Sequence, residues 1–331
     1  MAFIVVVISD FKIMKKPYVV GMDIGGTNTV FGIVDARGNV VSKAAIRTDA
    51  HDDVNLYVND LHEELIKLID AVGGIKKVRG IGVGAPNGNY YTGNIESAAN
   101  LRWKGIVPLV KLMSDKFGIP VKLTNDANAA AVGEMTYGAA RGMKDFIMIT
   151  LGTGVGSGIV IDGKVVYGHD GYAGELGHII SIRNNGRLCG CGRAGCLETY
   201  TSATGVARTA REILETSNKE SLLRNLPIDS ITSEDVYKAA IQGDETAKEI
   251  FEFTGKILGE ALADFTVFSA PEAFILFGGL TKSGNLILDP IVNNMEKNLL
   301  SLWKGKIKVL FSDLKESDAA VLGASALAWE L

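Results

Sequence analysis

The sequence predicts an α/β protein of two domains, on three observations. Short apolar runs of strand length alternate with amphipathic stretches of helix length from residue 18 to the end. A glycine-rich hairpin near the start has a counterpart 126 residues later, which reads as an internal duplication. At 331 residues the chain also exceeds the usual length of one domain. Apolar content of 47% and charged content of 22% fit an ordinary globular protein. A net charge of −4 gives no support for a nucleic-acid partner. No apolar run reaches the roughly 18 residues needed to span a bilayer, so no membrane partner and a cytoplasmic location are expected.

Residues 1–16 read as an N-terminal extension that is poorly ordered. The apolar run at 3–8 has neither a basic segment before it nor a small-residue cleavage site after it. Met14 stands just before KKPYVVG, so an upstream start codon or an added edge strand would explain the extension. Residues 18–22 form a buried strand that enters Asp23-Ile24-Gly25-Gly26-Thr27-Asn28 and returns as a second strand at 29–34. Glycines let backbone N–H groups approach phosphate oxygens, and Thr27 and Asn28 add side-chain donors. A plain glycine-rich hairpin would carry the same signal. After a turn at 35–38, a third strand starts at Val40.

Val54, Tyr57, Val58, Leu61, Leu65, Leu68, Ile69 and Val72 recur at helical spacing and mark a core-facing helix. A buried strand at 78–83 ends in a loop of turn residues, 84–88, and a polar loop at 97–105 carries Asn100. A helix at 108–117 is stopped by Gly118 and Pro120. The strand at 121–123 leads into Thr124-Asn125-Asp126-Ala127-Asn128, where a small-residue helix begins. Asp126 there is either a poised carboxylate or an N-cap.

The second hairpin follows a strand at 147–151 and runs Gly152-Thr153-Gly154-Val155-Gly156-Ser157-Gly158 before a strand at 159–161. Gly26 falls on Gly152, Thr27 on Thr153, Gly32 on Gly158, Ile33 on Ile159 and Val34 on Val160. Two such hairpins suggest two halves that each lend a loop to one phosphate site. Helices are expected at 204–215, 234–242, 245–268 and 285–300, with a strand at 273–277 ending in Gly278-Gly279. A last strand at 307–311 precedes an alanine-rich helix at 318–329, capped by Ser317 or Asp318.

The segment 171–198 (GYAGELGHIISIRNNGRLCGCGRAGCLE) holds all three cysteines, Cys189, Cys191 and Cys196, with His178, Glu175 and Glu198. Three thiolates and one imidazole make a complete tetrahedral shell for a structural zinc ion. Free thiols or one disulfide are the alternatives. An odd cysteine count, and the strain of bridging a Cys-Gly-Cys pair, weigh against the disulfide.

The pieces DIGGTN, NDANAAA, LGTGVGSGIV, GELGH, CGCGRAGCLE and FGG resemble the ROK family of sugar kinases and repressors, above all its bacterial glucokinases, over residues 17–331. The resemblance implies a two-domain actin-like ATPase fold with ATP and sugar in the cleft between domains. The smaller domain would comprise 17–123 and 313–331, and the larger one 124–312 with a zinc loop at 178–196. By the same resemblance Asp23 is the carboxylate near Mg2+, and Gly25, Gly26, Thr27 and Asn28 form the first phosphate loop. Gly152, Thr153, Gly154 and Gly156 form the second, and Gly278 and Gly279 the adenosine loop. Asn100, Asn125, Asp126, Glu175, His178 and Glu198 would contact the sugar, with Asp126 as base. His178 would give one ring nitrogen to zinc and the other to the sugar, while neither phosphate loop would touch the metal residues.

The sequence departs from the family pattern at Asn87, where glycine is expected, and in a spacing from His178 to Cys189 that is one residue long. The implied reaction is ATP-dependent phosphorylation of the 6-hydroxyl of a hexose, glucose first. N-acetylmannosamine, N-acetylglucosamine, allose and fructose are the other acceptors to weigh. A homodimer or homotetramer is expected. A repressor of the same family would need a helix-turn-helix module, and about 20 residues before Asp23 are too few for one. A non-catalytic sugar sensor or chaperone-like ATPase fits less well, because Asp126 stands beside both phosphate loops and the cysteine segment is present.

Overall fold

The computed structural model describes residues 15–331. Residues 1–14 of the expected extension, with the alternative edge strand, fall outside these residues. The first sheet has the order β3-β2-β1-β4-β7, built from β1 (Tyr18–Ile24), β2 (Asn28–Asp35), β3 (Val40–Arg47), β4 (Val78–Gly84) and β7 (Val121–Thr124). Its first three strands form an antiparallel meander, and β4 and β7 run parallel to β1. Between β4 and β7 a flap carries a two-stranded ladder, β5 (Ile95–Glu96) with β6 (Ile106–Val107).

The second sheet repeats this plan in the order β10-β9-β8-β11-β12. It comprises β8 (Phe146–Leu151), β9 (Val155–Ile161), β10 (Lys164–Val165), β11 (Ala273–Phe277) and β12 (Lys308–Phe311). Again a meander is flanked by two parallel strands. The duplication read from two glycine runs thus extends to whole sheets. The hairpins differ at their tips. The paired ends are Ile24 and Thr29 in the first hairpin, but Leu151 and Val155 in the second. The second tip is one residue shorter, and β9 starts at Val155 rather than at residue 159.

Helices cover both sheets. On the outer face of the first sheet lie α1 (Val54–Ala71) and α2 (Leu109–Phe117). The α1 stripe is buried at Tyr57, Val58, Leu61, Leu65 and Ile69, each side chain contributing about 1.5–3 kcal/mol. Asp53 caps the helix through Asn55 N–H, at 2.8 Å. On the outer face of the second sheet lie α4 (Glu198–Thr201), α5 (Ala203–Thr216), α6 (Ser233–Ile241), α7 (Glu245–Ser269) and α8 (Asn285–Asn298). Pro290 sits inside α8.

Between the sheets lie α3 (Asp126–Tyr137) and α9 (Glu316–Ala328). Both are rich in alanine and glycine, so the helices and the inner sheet faces approach closely. The chain crosses from β12 to α9 through Ser312, whose hydroxyl bonds the buried carboxylate of Glu134 on α3. The expected cap of the last helix needs correction. It starts at Glu316 with Lys315 at the cap position, and Asp318 lies inside the first turn, paired with Lys43 at 2.7 Å. Among the described residues no helix is long and apolar enough to cross a membrane.

Candidate functional site

A cavity of about 890 Å³ lies where the two halves face each other. Asn100 from the flap, Asn125 and Asp126 from the start of α3, and Glu175, His178 and Glu198 from the cysteine segment all line it. Gly152, Thr153, Gly154 and Gly156 of the second hairpin and Gly278 after β11 line the same space. Six polar side chains separated by up to 98 positions therefore converge on one volume with one phosphate-type loop.

The first hairpin stands beside this cavity. Asp23, Gly25, Gly26, Thr27 and Asn28 are not among its lining residues, nor is Gly279. Gly26 abuts the wall, since a Cβ there would stand 2.7 Å from the Asn100 carbonyl oxygen. Asp23 lines an adjoining cavity of about 290 Å³ together with Asp126, Thr150 and Glu134. Asp126, Thr150 and Phe277 border both spaces, so the two adjoin at Asp126.

Asn125, not Asp126, caps α3: its Oδ1 accepts from Ala127 N–H at 2.9 Å. Asp126 is the first helical residue, and its Oδ1 accepts from the same N–H at 2.8 Å. Its side chain is open to the cleft, yet protein crowds it from most sides. That burial holds its pKa above the ordinary carboxylate value, against the opposing pull of the helix-start N–H groups. Asp23 is raised as well, to about 6, by burial first and by the Asp126 carboxylate second. Glu175 is raised too, chiefly by burial; His178 opposes this, while Asp126 and Glu198 add to it. Asp126, Glu175, His178 and Glu198 line one cavity and so can act on one small polar ligand.

Several lining residues carried no sequence signal. Ser157, inside the second glycine run, donates to the Gly174 carbonyl and accepts from Leu176 N–H at 3.1 Å, which fixes the turn bearing Glu175. The Thr150 hydroxyl accepts from Gly156 N–H at 3.0 Å and so braces the second hairpin. Asn87 keeps its turn despite lacking the expected glycine. It adopts φ +51°, a conformation asparagine tolerates, and its amide donates to Glu96 O at 2.9 Å.

His178, Cys189, Cys191 and Cys196 form one group whose ligand atoms all lie within 4.8 Å of one another. Cys189 Sγ is 3.7 Å from His178 Nδ1, and Cys191 Sγ is 3.6 Å from Cys196 Sγ. A tetrahedral zinc with ordinary Zn–S and Zn–N lengths sets those edges at about 3.5–3.8 Å. The donor set and its spacing therefore fit zinc, and no disulfide joins these cysteines. Nδ1 is the nitrogen turned to the sulfurs.

Glu198 changes one expectation. Its Oε1 is 3.1 Å from Cys189 Sγ and 3.8 Å from His178 Nδ1, while its Oε2 accepts from Val155 N–H at 3.2 Å. A Cβ at Gly154 would stand 2.6 Å from Oε2. One carboxylate thus bridges the metal-type cluster and the second glycine-rich hairpin, two features that the sequence alone reads as separate.

A model described as the ROK family matches residues 19–330. A glucokinase of Halalkalibacterium halodurans is 37% identical over 319 residues, spanning 95% of this chain and 96% of its own. Among solved structures, a ROK family glucokinase from Streptomyces griseus in complex with glucose and AMPPNP shares 34% identity at a TM-score of 0.76, covering 95% of this chain and 100% of that one. A ROK family transcriptional regulator, a homolog of the E. coli MLC protein, superposes with a TM-score of 0.84 at 26% identity, covering 95% of this chain and 78% of that one.

Proposed function

The chain belongs to the ROK family, and on that premise we propose that it is an ATP-dependent hexokinase that phosphorylates the 6-hydroxyl of a hexose, glucose first. The observation that carries this reading is Asp126. It sits where a cavity of polar side chains meets a phosphate-type loop, with a carboxylate whose proton affinity burial has raised. A general base must reach the attacking hydroxyl and hold its proton, and this position suits both tasks. Asn100, Asn125, Glu175, His178 and Glu198 bond the remaining sugar hydroxyls. A site built of such partners discriminates against sugars that lack one. Gly152, Thr153, Gly154 and Gly156 present N–H groups to the phosphates from one side, with Gly25, Gly26, Thr27 and Asn28 opposite. Gly278 and Gly279 flank the adenosine.

Asp23 offers a hard oxygen donor next to Asp126, which fits Mg2+. When bound, that ion neutralises charge on the phosphates; Asp23 itself orients it. His178, Cys189, Cys191 and Cys196 hold a structural zinc, which leaves His178 Nε2 for the sugar. The two sheets support a division into a smaller domain, 17–123 with 313–331, and a larger one, 124–312. We further propose a homodimer or homotetramer. The test is a panel of hexoses with ATP, with the product's phosphate position read by NMR. Glucose should give the highest kcat/KM and glucose 6-phosphate the only product; turnover restricted to an N-acetylated hexose, or none with any hexose, would overturn the assignment.

A further inference from the structure

The flap between β4 and β7 meets the loop after β10 in a contact that the reaction above does not use. The Tyr90 and Tyr167 rings stack at 4.0 Å with an interplanar angle of 8°, and Tyr91 meets Tyr167 edge-on at 6.0 Å. Tyr91 Oη donates to Gly168 O at 3.0 Å. Asn89, only 2% exposed, donates from Nδ2 to Asp170 O at 2.7 Å, while its Oδ1 accepts from Tyr91 N–H at 3.0 Å. The Tyr172 hydroxyl donates to Glu96 Oε2, and Glu96 Oε1 accepts from Thr92 Oγ1 at 2.7 Å. On the flap side, Lys122 reaches Tyr90 Oη at 3.4 Å and pairs with Glu330 at 2.6 Å, so the stack is anchored to the first sheet.

The place of this contact gives it meaning. Glu96 precedes Ser97, which lines the large cavity, and its backbone carbonyl holds Asn87, which lines it too. Tyr172 stands three residues before Glu175. The two sides of the contact are therefore the roots of two walls of the cavity, one belonging to the first sheet and one to the second. We propose that this tyrosine clasp holds those walls at a fixed separation, and that Tyr172 and Glu96 are positioning residues for hexose binding. They act through Asn87, Asn100 and Glu175 and touch no substrate. The proposal rests on the hexokinase reading. The clasp lies on the flap and the β10 loop, away from the Gly152–Gly154 turn, so it acts on the sugar and not on the nucleotide.

The experiment has two readouts. In the ligand-free protein, Tyr172→Phe should speed amide hydrogen exchange at residues 97–101 and 173–176 relative to wild type. This holds whether or not the protein phosphorylates a hexose. In the assay with ATP, Tyr172→Phe and Glu96→Ala should each raise the hexose KM about 3- to 10-fold, the worth of one hydrogen bond at a partly exposed site. The KM for ATP and kcat should stay within about twofold. Glu96→Gln should keep the wild-type KM, because its amide oxygen still accepts from Tyr172. The double variant Tyr172→Phe/Glu96→Ala should be no worse than either single one, as two partners in one bond require. Unchanged exchange in the flap, an unchanged hexose KM in an active enzyme, or a loss spread equally over both KM values and kcat would each overturn the clasp. A wild-type protein without hexose-dependent turnover would refute the hexokinase reading instead, and the exchange experiment would still decide whether the walls are tied.

Discussion

The surroundings of Asp23 constrain the ligand-free protein. Burial and the Asp126 carboxylate raise its pKa from 3.8 to about 6. Between those two values the folded protein holds a proton that the unfolded chain has lost. Its contribution to stability is therefore fully present below about pH 4 and is lost as pH rises through about 6. At pH 7.5 the ionised group costs roughly 1–3 kcal/mol. Asp23→Asn should be more stable than wild type by about that amount at pH 7.5, and nearly equal to it at about pH 3.5. Urea unfolding at the two pH values checks this; a difference that does not grow with pH would contradict it. The cap of α3 is a smaller case at the same scale. Asp126 and Asn125 are both good caps by type, and only their backbone places show that Asn125 takes the cap while Asp126 faces the cleft.

At the scale of elements, the cysteine segment and the second hairpin act together through Glu198. Removing a ligand from the metal cluster should loosen Glu198, and with it the Val155 N–H at the base of the phosphate loop. Cys191→Ser suits the test because Cys191 is the exposed member of the group, so its replacement spares the core. The variant should stay folded while metal analysis falls from one zinc per chain toward none. Its KM for glucose should rise about 10-fold or more, and its KM for ATP about 3- to 10-fold. An unchanged KM for ATP in the metal-depleted variant would show that Glu198 does not transmit the loss. The cysteine and histidine spacing made the grouping of these four side chains legible in the sequence, since they are the soft donors of one short glycine-rich stretch. The bridge to Val155 was not legible, because it depends on which way one side chain turns across 43 positions. The tyrosine contact was hidden for the same reason: Tyr90 and Tyr167 lie 77 positions apart, in loops without periodicity.

For the whole molecule, two sheets of the same plan face each other across α3 and α9, and the site lies at their common edge. This plan was readable because backbone turns demand glycine at fixed places, so the hairpins kept their spelling in both halves. The β5–β6 flap is not legible in the sequence, since two-residue strands carry no alternation to read. The difference in the hairpin tips is not legible either, because one residue of loop length alters pairing and not composition. The duplication explains why Asp126 matters beyond its own helix. It borders the space reached by Asp23 of one half and the space lined by the loop of the other. The most direct measurement of the account is therefore Asp126→Asn, with glucose affinity followed by calorimetry and turnover by a coupled assay. Asparagine keeps the shape and the hydrogen bond to Ala127 N–H but cannot take a proton. The account predicts glucose binding within a few fold of wild type and a kcat lower by about 10²–10⁴-fold; near-wild-type turnover in a stable Asp126→Asn protein would contradict it.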